Sequence, residues 1–350
     1  MSRQSGIHTR RSWIAELRRS PLQIGAVLLL AVLVLIAARN LLPQMGQPAA
    51  YQPEQFVRQL LFGLAQGSIY ALLALGYSMV YGILGIVNLA HGEVFMAGAY
   101  FGVFAMLAAE ESGLLMRDPL LTLSATLLVG MLASVCVTLL LERYVYRPVR
   151  ASPRVVALIV ALGASVVLQQ LFALLFGGAA RRYPDVHLYA FPQWFPGTPC
   201  AGGTVCAGID LIGGRYDIVL LGLDLRILPI HAVVLVMALS LMLCLWLYVN
   251  GTRTGRAMRP VADDPAMAAL LGVDVRRTVV VTFVLGAILA GAAGVLYALY
   301  NRQVTPFIGF LPGLKAFTAA MLGGIGHLPG AMLGGMLLGI VESIVPSVLG

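Results

Sequence analysis

ILPIHAVVLVMALSLMLCLWLYV, residues 227–249, runs for 23 residues without an Asp, Glu, Lys or Arg. As an α-helix it is about 34 Å long at 1.5 Å per residue, enough to cross about 30 Å of hydrocarbon. Its apolar positions do not alternate with polar ones, as the roughly ten-residue strands of a membrane barrel require. The stretch is therefore read as a membrane-spanning helix, in which each backbone amide and carbonyl is satisfied within the segment. Eight further apolar blocks lie at about 22–38, 57–83, 93–109, 120–141, 155–176, 278–300, 313–326 and 330–349. The expected fold is all-α: a polytopic transmembrane helical bundle of about nine spans.

Composition leads to the same solvent. The 350 residues are 59% hydrophobic and 11% charged, with a mean hydropathy of +0.89, whereas about a quarter of a soluble domain is charged. The lipid bilayer is thus the first partner. The net charge of +8 would suit nucleic acid if the basic residues formed a patch, but they lie between the spans. Arg10, Arg11, Arg18 and Arg19 precede the first block; Arg143, Arg147, Arg150 and Arg154 share one loop; Arg253, Arg256, Arg259, Arg276 and Arg277 share another. With a cytoplasmic N-terminus, alternation puts both Arg-rich loops inside. It puts the acidic tip Glu110, Glu111 and Asp118 outside, together with the long polar segment 177–226. This is the positive-inside bias, and no nucleic-acid partner is expected. The first block is read as an uncleaved span and not a signal peptide: its 17 residues exceed the roughly 7–15 of a signal core, and Arg39 and Asn40 make a poor cleavage site.

Of the four cysteines, Cys136 and Cys244 fall inside apolar blocks and are read as small buried hydrophobes. Cys200 and Cys206 fall in the outer polar segment, a disulfide-permissive compartment, where a local bridge is open to them. No His stands at ligand spacing beside them, so no metal site is expected. Small residues crowd the last spans: Gly326, Gly330 and Gly334, then Gly335 and Gly339, and earlier Gly286, Ala290 and Gly294. Such spacing lets helix backbones approach closely in lipid.

The absences bear on energy supply. Lys315 is the only lysine, in GLKAF, with no phosphate-binding glycine loop around it. There is no GxSxG elbow and no HExxH motif, so neither an enzyme nor a cofactor is expected. Polar chemistry is confined to few places. GILGIVNLAHG, 82–92, reads as an interrupted helix carrying Asn88 and His91, with Glu93 immediately after. Non-helical backbone at membrane depth must be buried in protein or line a wet cavity, and an ionisable residue there needs a partner. Two readings are open: a substrate pathway or gate, or an interfacial turn with Glu93 paired to His91 or solvated. Lys315, taken with Asn88, His91 and Glu93 as a candidate pathway residue, and Glu342 are each also candidate members of a structural ion pair.

The inner loop 250–277, NGTRTGRAMRPVADDPAMAALLGVDVRR, encodes a short helix with both ends marked. Asp264 suits the N-cap and Pro265 the first helical position. Residues 266–271, including Ala268 and Ala269, form helix with an apolar side, and Gly272 suits the C-terminal cap. Flanked by Arg253, Arg256 and Arg259, such a helix fits either a protein groove or anionic lipid.

Four blocks stand in order along the chain: GLAQGSIYALLALGYSMVYGILGIVNLAHGEVFMAGAY (63–100), ERYVYRPVR (142–150), GRAMRPVADDPAMAALLGV (255–273) and KAFTAAMLGGIGHLPGAMLGG (315–335). Together they resemble the first of the two permease subunits of high-affinity branched-chain amino acid ABC importers, over about residues 56–346. The resemblance implies a heterodimer with a second permease, two cytoplasmic ATP-binding subunits, a periplasmic amino-acid-binding protein and a place in the bacterial inner membrane. It also implies that the short loop helix, with Arg256, Arg259, Asp264, Pro265, Ala268, Ala269 and Gly272, is the coupling helix to the ATPase. Residues 1–50 are expected to be an extension with one additional span, and 51–350 the permease domain. Relatives of this kind continue through one more apolar segment after Gly350, so the resemblance implies a chain truncated before a final span. Pro260 stands where the family more often has Ala, implying an abrupt start to the coupling helix. Three rivals carry different expectations. An ABC permease for urea or short amides shares the NLAHGE and GR loops. An ion-coupled secondary transporter needs several intramembrane acids, where only Glu93 and Glu342 qualify. A structural scaffold would leave uptake unchanged when deleted.

Overall fold

The computed structural model describes residues 53–349, except 86, 150–151, 184–188, 191–197, 200–204, 207–208, 211–215 and 221–222. The expected first span at 22–38 and the 1–50 extension lie outside the described residues. So does Cys200 of the expected Cys200–Cys206 bridge. Among the described residues, ten α-helices of six residues or more order the bundle: α1 (Pro53–Leu84), α2 (His91–Glu111), α3 (Pro119–Leu141), α4 (Arg154–Phe176), α5 (Pro229–Gly251), α6 (Arg253–Asp263), α7 (Pro265–Leu270), α8 (Val275–Asn301), α9 (Phe310–Gly323) and α10 (Leu328–Leu349). Among the described residues, seven helices are long and apolar enough to cross a membrane: all of these except α6, α7 and α9.

The expected span at 313–326 is the point of difference. Helix α9 has 14 residues, about 21 Å at 1.5 Å per residue, which is short of the hydrocarbon thickness. The descent is shared between α9 and the irregular chain before it. Gln303 and Val304 pair antiparallel with Arg182 and Arg181 at one end of the bundle. At the other end, beyond α9, the Gly326 amide donates to Ser78 Oγ at 2.9 Å. The intervening chain is partly covered by protein, with Val304, Pro306 and Gly309 buried and Phe307 49% exposed.

Helices α1, α2 and α8 form the buried centre. Helices α3, α4 and α5 turn aliphatic faces outward, with Leu128, Leu132, Ile159, Val167, Val236 and Leu243 exposed. Cys136 and Cys244 belong to these outer faces and are exposed free thiols, not the buried hydrophobes expected: a membrane-facing wall is as apolar as a core, so an apolar block does not reveal which side a residue takes. Among the described residues between α4 and α5 short antiparallel ladders appear, the longest pairing Tyr216–Leu220 with Leu223–Ile227.

Glycines set the central spacing. A Cβ on Gly98 of α2 would stand 2.7 Å from Ser134 Oγ of α3 and run into Gly291 of α8. A Cβ on Gly291 would stand 2.8 Å from the Gly130 carbonyl oxygen of α3. Three backbones therefore meet where only hydrogen fits. Gly335 and Gly339 of α10 press in the same way on Ala71 and Gly67 of α1. Gly326 lies not within a helix but in the α9–α10 turn, at φ +83°, where its Cα would stand 3.1 Å from a Cβ on Gly82 of α1.

Candidate functional site

Helix α1 runs on to Leu84, and Gly85, at φ +64°, turns the chain back into the bundle. The return is deep. His91, the first residue of α2, lies so close to Gly76 that a Cβ there would collide with the imidazole. Gly76 is eight residues before Leu84, about 12 Å along the helix. The His91 ring packs edge-on to Tyr77 with centroids 4.7 Å apart. Gly85 and residues 87–90 are thus non-helical chain within the protein, as the glycine-rich pattern suggested.

Three distant helices close around this break. A π-helical turn, Glu142–Tyr146, extends α3, so the expected 143–154 loop begins as helix. Tyr146, buried and stacked on Phe283 of α8 with centroids 5.7 Å apart, donates its hydroxyl to Asn88 Oδ1. Ser134 Oγ donates to the Val94 carbonyl at 2.8 Å. Glu93, 1% exposed, accepts at Oε1 from Ser165 Oγ at 2.9 Å and from Gln169 Nε2 at 2.7 Å, both on α4. Its other oxygen, Oε2, and His91 Nε2 have no hydrogen-bond partner among the described residues. The turn reading with Glu93 paired to His91 or solvated does not describe this geometry: the carboxylate is enclosed and held by α4. Such a site can hold or release one charge in a dry interior whose neighbouring donors are already aimed.

Lys315 is not part of that cluster. It forms an ion pair across α9 and α10 with Glu342, and its ammonium lies 5.7 Å from the Tyr70 ring centroid. Gln66 Nε2 donates to the Tyr70 hydroxyl at 2.6 Å. Tyr70 and Tyr77 are seven residues apart on one face of α1, so the two clusters sit about two turns apart on a common helix.

The 250–277 loop folds on its own caps. Thr252 Oγ1 accepts from the Gly255 amide at 3.0 Å and opens α6, a helix the sequence reading did not anticipate; Pro260 is accommodated inside it. Arg259 Nη2 donates to Asn250 Oδ1 at 3.0 Å, while Arg256 is exposed. Asp264 Oδ1 then accepts from the Ala266 and Met267 amides at 2.9 and 3.0 Å, with Pro265 at the first position of α7. Gly272, at φ +83°, ends the turn, its amide donating to the Ala269 carbonyl at 3.0 Å and that of Val273 to Ala268 at 3.0 Å. Ala268 is buried, whereas Met267, Leu270 and Leu271 are 55%, 81% and 77% exposed. An apolar knob thus projects beyond the bundle.

Ser165, Gln169, Tyr146 and Tyr70 are the residues whose part was not foreseen. The one available signal was Gln169, with Gln170 an amide pair inside an otherwise apolar block.

Comparison with known proteins follows the same features along the chain. The family model described as branched-chain amino acid transport system, permease component, matches residues 59–350. The chain is 39% identical over 299 residues to the high-affinity branched-chain amino acid transport system permease protein BraD of Pseudomonas aeruginosa, covering 84% of this chain and 88% of that one. It is 38% identical over 289 residues to the corresponding permease protein LivH of Escherichia coli and of Salmonella typhimurium, covering 83% of this chain and 85% of each. No solved structure matches the chain significantly. A polytopic helical bundle whose match extends from its first described span to its last residue belongs to the family of branched-chain amino acid transport permease components.

Proposed function

We propose that this chain is the membrane-embedded permease subunit of an ATP-driven importer that moves branched-chain amino acids from periplasm to cytoplasm. It works in the bacterial inner membrane with its N-terminus cytoplasmic, beside a second permease subunit, two ATP-binding subunits and a periplasmic amino-acid-binding protein. The observation that carries the reading is identity of 38–39% to permeases named for branched-chain amino acids, over more than four fifths of both chains. That favours these substrates over urea or short amides. Residues 51–350 supply the translocating bundle. Asn88, His91 and Glu93 form the gate element beside the pathway, and Lys315 lines it. Helix α7 docks its exposed Met267, Leu270 and Leu271 in an ATPase groove, with Arg256 at the rim. Asp264, Pro265, Ala268, Ala269 and Gly272 hold its shape.

The test is transport by the whole complex, purified through this chain and sealed in vesicles with the binding protein. Leucine uptake is expected to require ATP; uptake driven by an ion gradient without ATP would overturn the reading. Coupling has its own variants. Gly272→Val places a β-branched residue at positive φ, costing about 1–2 kcal/mol in the α7 cap, and Ala268→Asp puts a carboxylate where α7 seats on the bundle. Each is expected to lower leucine uptake about tenfold while ATP hydrolysis and the assembled spans persist. Wild-type uptake in both would remove the coupling role.

A further inference from the structure

The Lys315–Glu342 pair sits where acyl chains would not tolerate it. Tyr70, against which the Lys315 ammonium lies, is the midpoint of the span Phe56–Leu84. Yet the two charged side chains are 37% and 34% exposed. Charge open to hydrocarbon at the centre of a bilayer is strongly unfavourable, and intramembrane ionisable residues face a bundle interior or a wet cavity. This face therefore looks onto something polar. Its surroundings are aliphatic: Leu311 lies one turn before Lys315 and Leu322 two turns after it, both exposed, with exposed Thr318 between. A cation, an anion and an aliphatic wall share one surface. Those are the three complements of a small aliphatic amino acid: one for its carboxylate, one for its ammonium, one for its side chain.

We propose that Lys315 and Glu342 form a subsite for the zwitterionic backbone of the transported amino acid, a reading that rests on the import function above. As substrate passes, the pair opens; Lys315 takes the α-carboxylate and Glu342 the α-ammonium, while the side chain lies along Leu311 or Leu322. Without substrate the two charges neutralise one another, so neither is left uncompensated at membrane depth. The exchange replaces one ion pair by two, and no net charge moves. Glu93, enclosed by α4 and nearly without exposure, cannot serve this way while the bundle stays closed.

The test separates a binding pair from a structural one. In the purified complex, the double variant Lys315→Met, Glu342→Gln removes both charges together and leaves none stranded. It is expected to copurify with its partner subunits and to hydrolyse ATP, with leucine uptake down about tenfold or more, the loss of charge-assisted bonds to substrate. Uptake at the wild-type rate would show a purely structural pair and overturn the proposal. Loss of copurification with the second permease would make this face a subunit seam and overturn it equally. Should the neutral variant fail to accumulate, the exchanged pair Lys315→Glu, Glu342→Lys decides, because it keeps an ion pair but reverses its order along the aliphatic wall. Wild-type uptake by that variant would again refute the subsite. If the unmodified complex takes up no leucine with ATP, the import function fails as a whole; if it does and the variants match it, the subsite alone fails.

Discussion

Gly294→Val is expected to cut the folded-to-unfolded ratio roughly a hundredfold, a cost of about 3 kcal/mol at the upper end of overpacking. A Cβ on Gly294 would stand 2.9 Å from the Ala99 amide nitrogen and run into the Phe95 carbonyl oxygen. Both are backbone atoms of α2, which no rotamer change can move aside. Relief requires α8 to part from α2, and α8 is also held against α3 at Gly291, where a Cβ would meet Ser134 Oγ at 2.7 Å. In lipid, helices gain little from excluding water, so lost van der Waals fit is not replaced by any other attraction. Gly163→Ala serves as the control: nothing lies within 4 Å of a Cβ at that position on α4, and alanine is the better helix former by about 1 kcal/mol. Membrane accumulation and the thermal midpoint in detergent are the measurements. A Gly294→Val protein with the wild-type midpoint would mean that the α2–α8 approach is looser than described.

What local chemistry encodes, the sequence showed. The caps of α7 could be placed because Asp264, Pro265 and Gly272 act within a few residues of themselves, and each occupies its expected position. The spans could be placed because bilayer thickness imposes a length. Two features escaped for physical reasons. The 313–326 block reads as a span of its own because an apolar run does not say whether irregular chain beside a short helix completes a crossing. The pairing of Glu93 was open because its donors, Ser165 and Gln169, lie 72 and 76 residues away, and only the packing of α2 against α4 selects them over adjacent His91. The same holds for Asn88 and Tyr146, 58 residues apart.

Glu93→Gln distinguishes an enclosed structural acid from one whose charge the transport cycle uses. Ser165 and Gln169 both donate to Oε1, and a glutamine amide oxygen in that place accepts from them equally. Its nitrogen then occupies the position of Oε2, which has no partner among the described residues, so no existing bond is broken, and the cost of its unpaired N–H donors is offset by removal of a buried charge. Folding should therefore survive, with accumulation and thermal midpoint near wild type. Glu93→Leu fills similar volume but strands both donors in a dry interior, at about 1–3 kcal/mol each, and should lower the midpoint markedly. If the negative charge at the start of α2 serves the gate, Glu93→Gln will reduce ATP-driven leucine uptake about tenfold or more, the worth of one charge-assisted interaction. Only a transport role moves uptake without moving stability. Equal uptake by Glu93→Gln and wild-type complexes, with Glu93→Leu unstable, would assign Glu93 to holding α2 against α4 and nothing further.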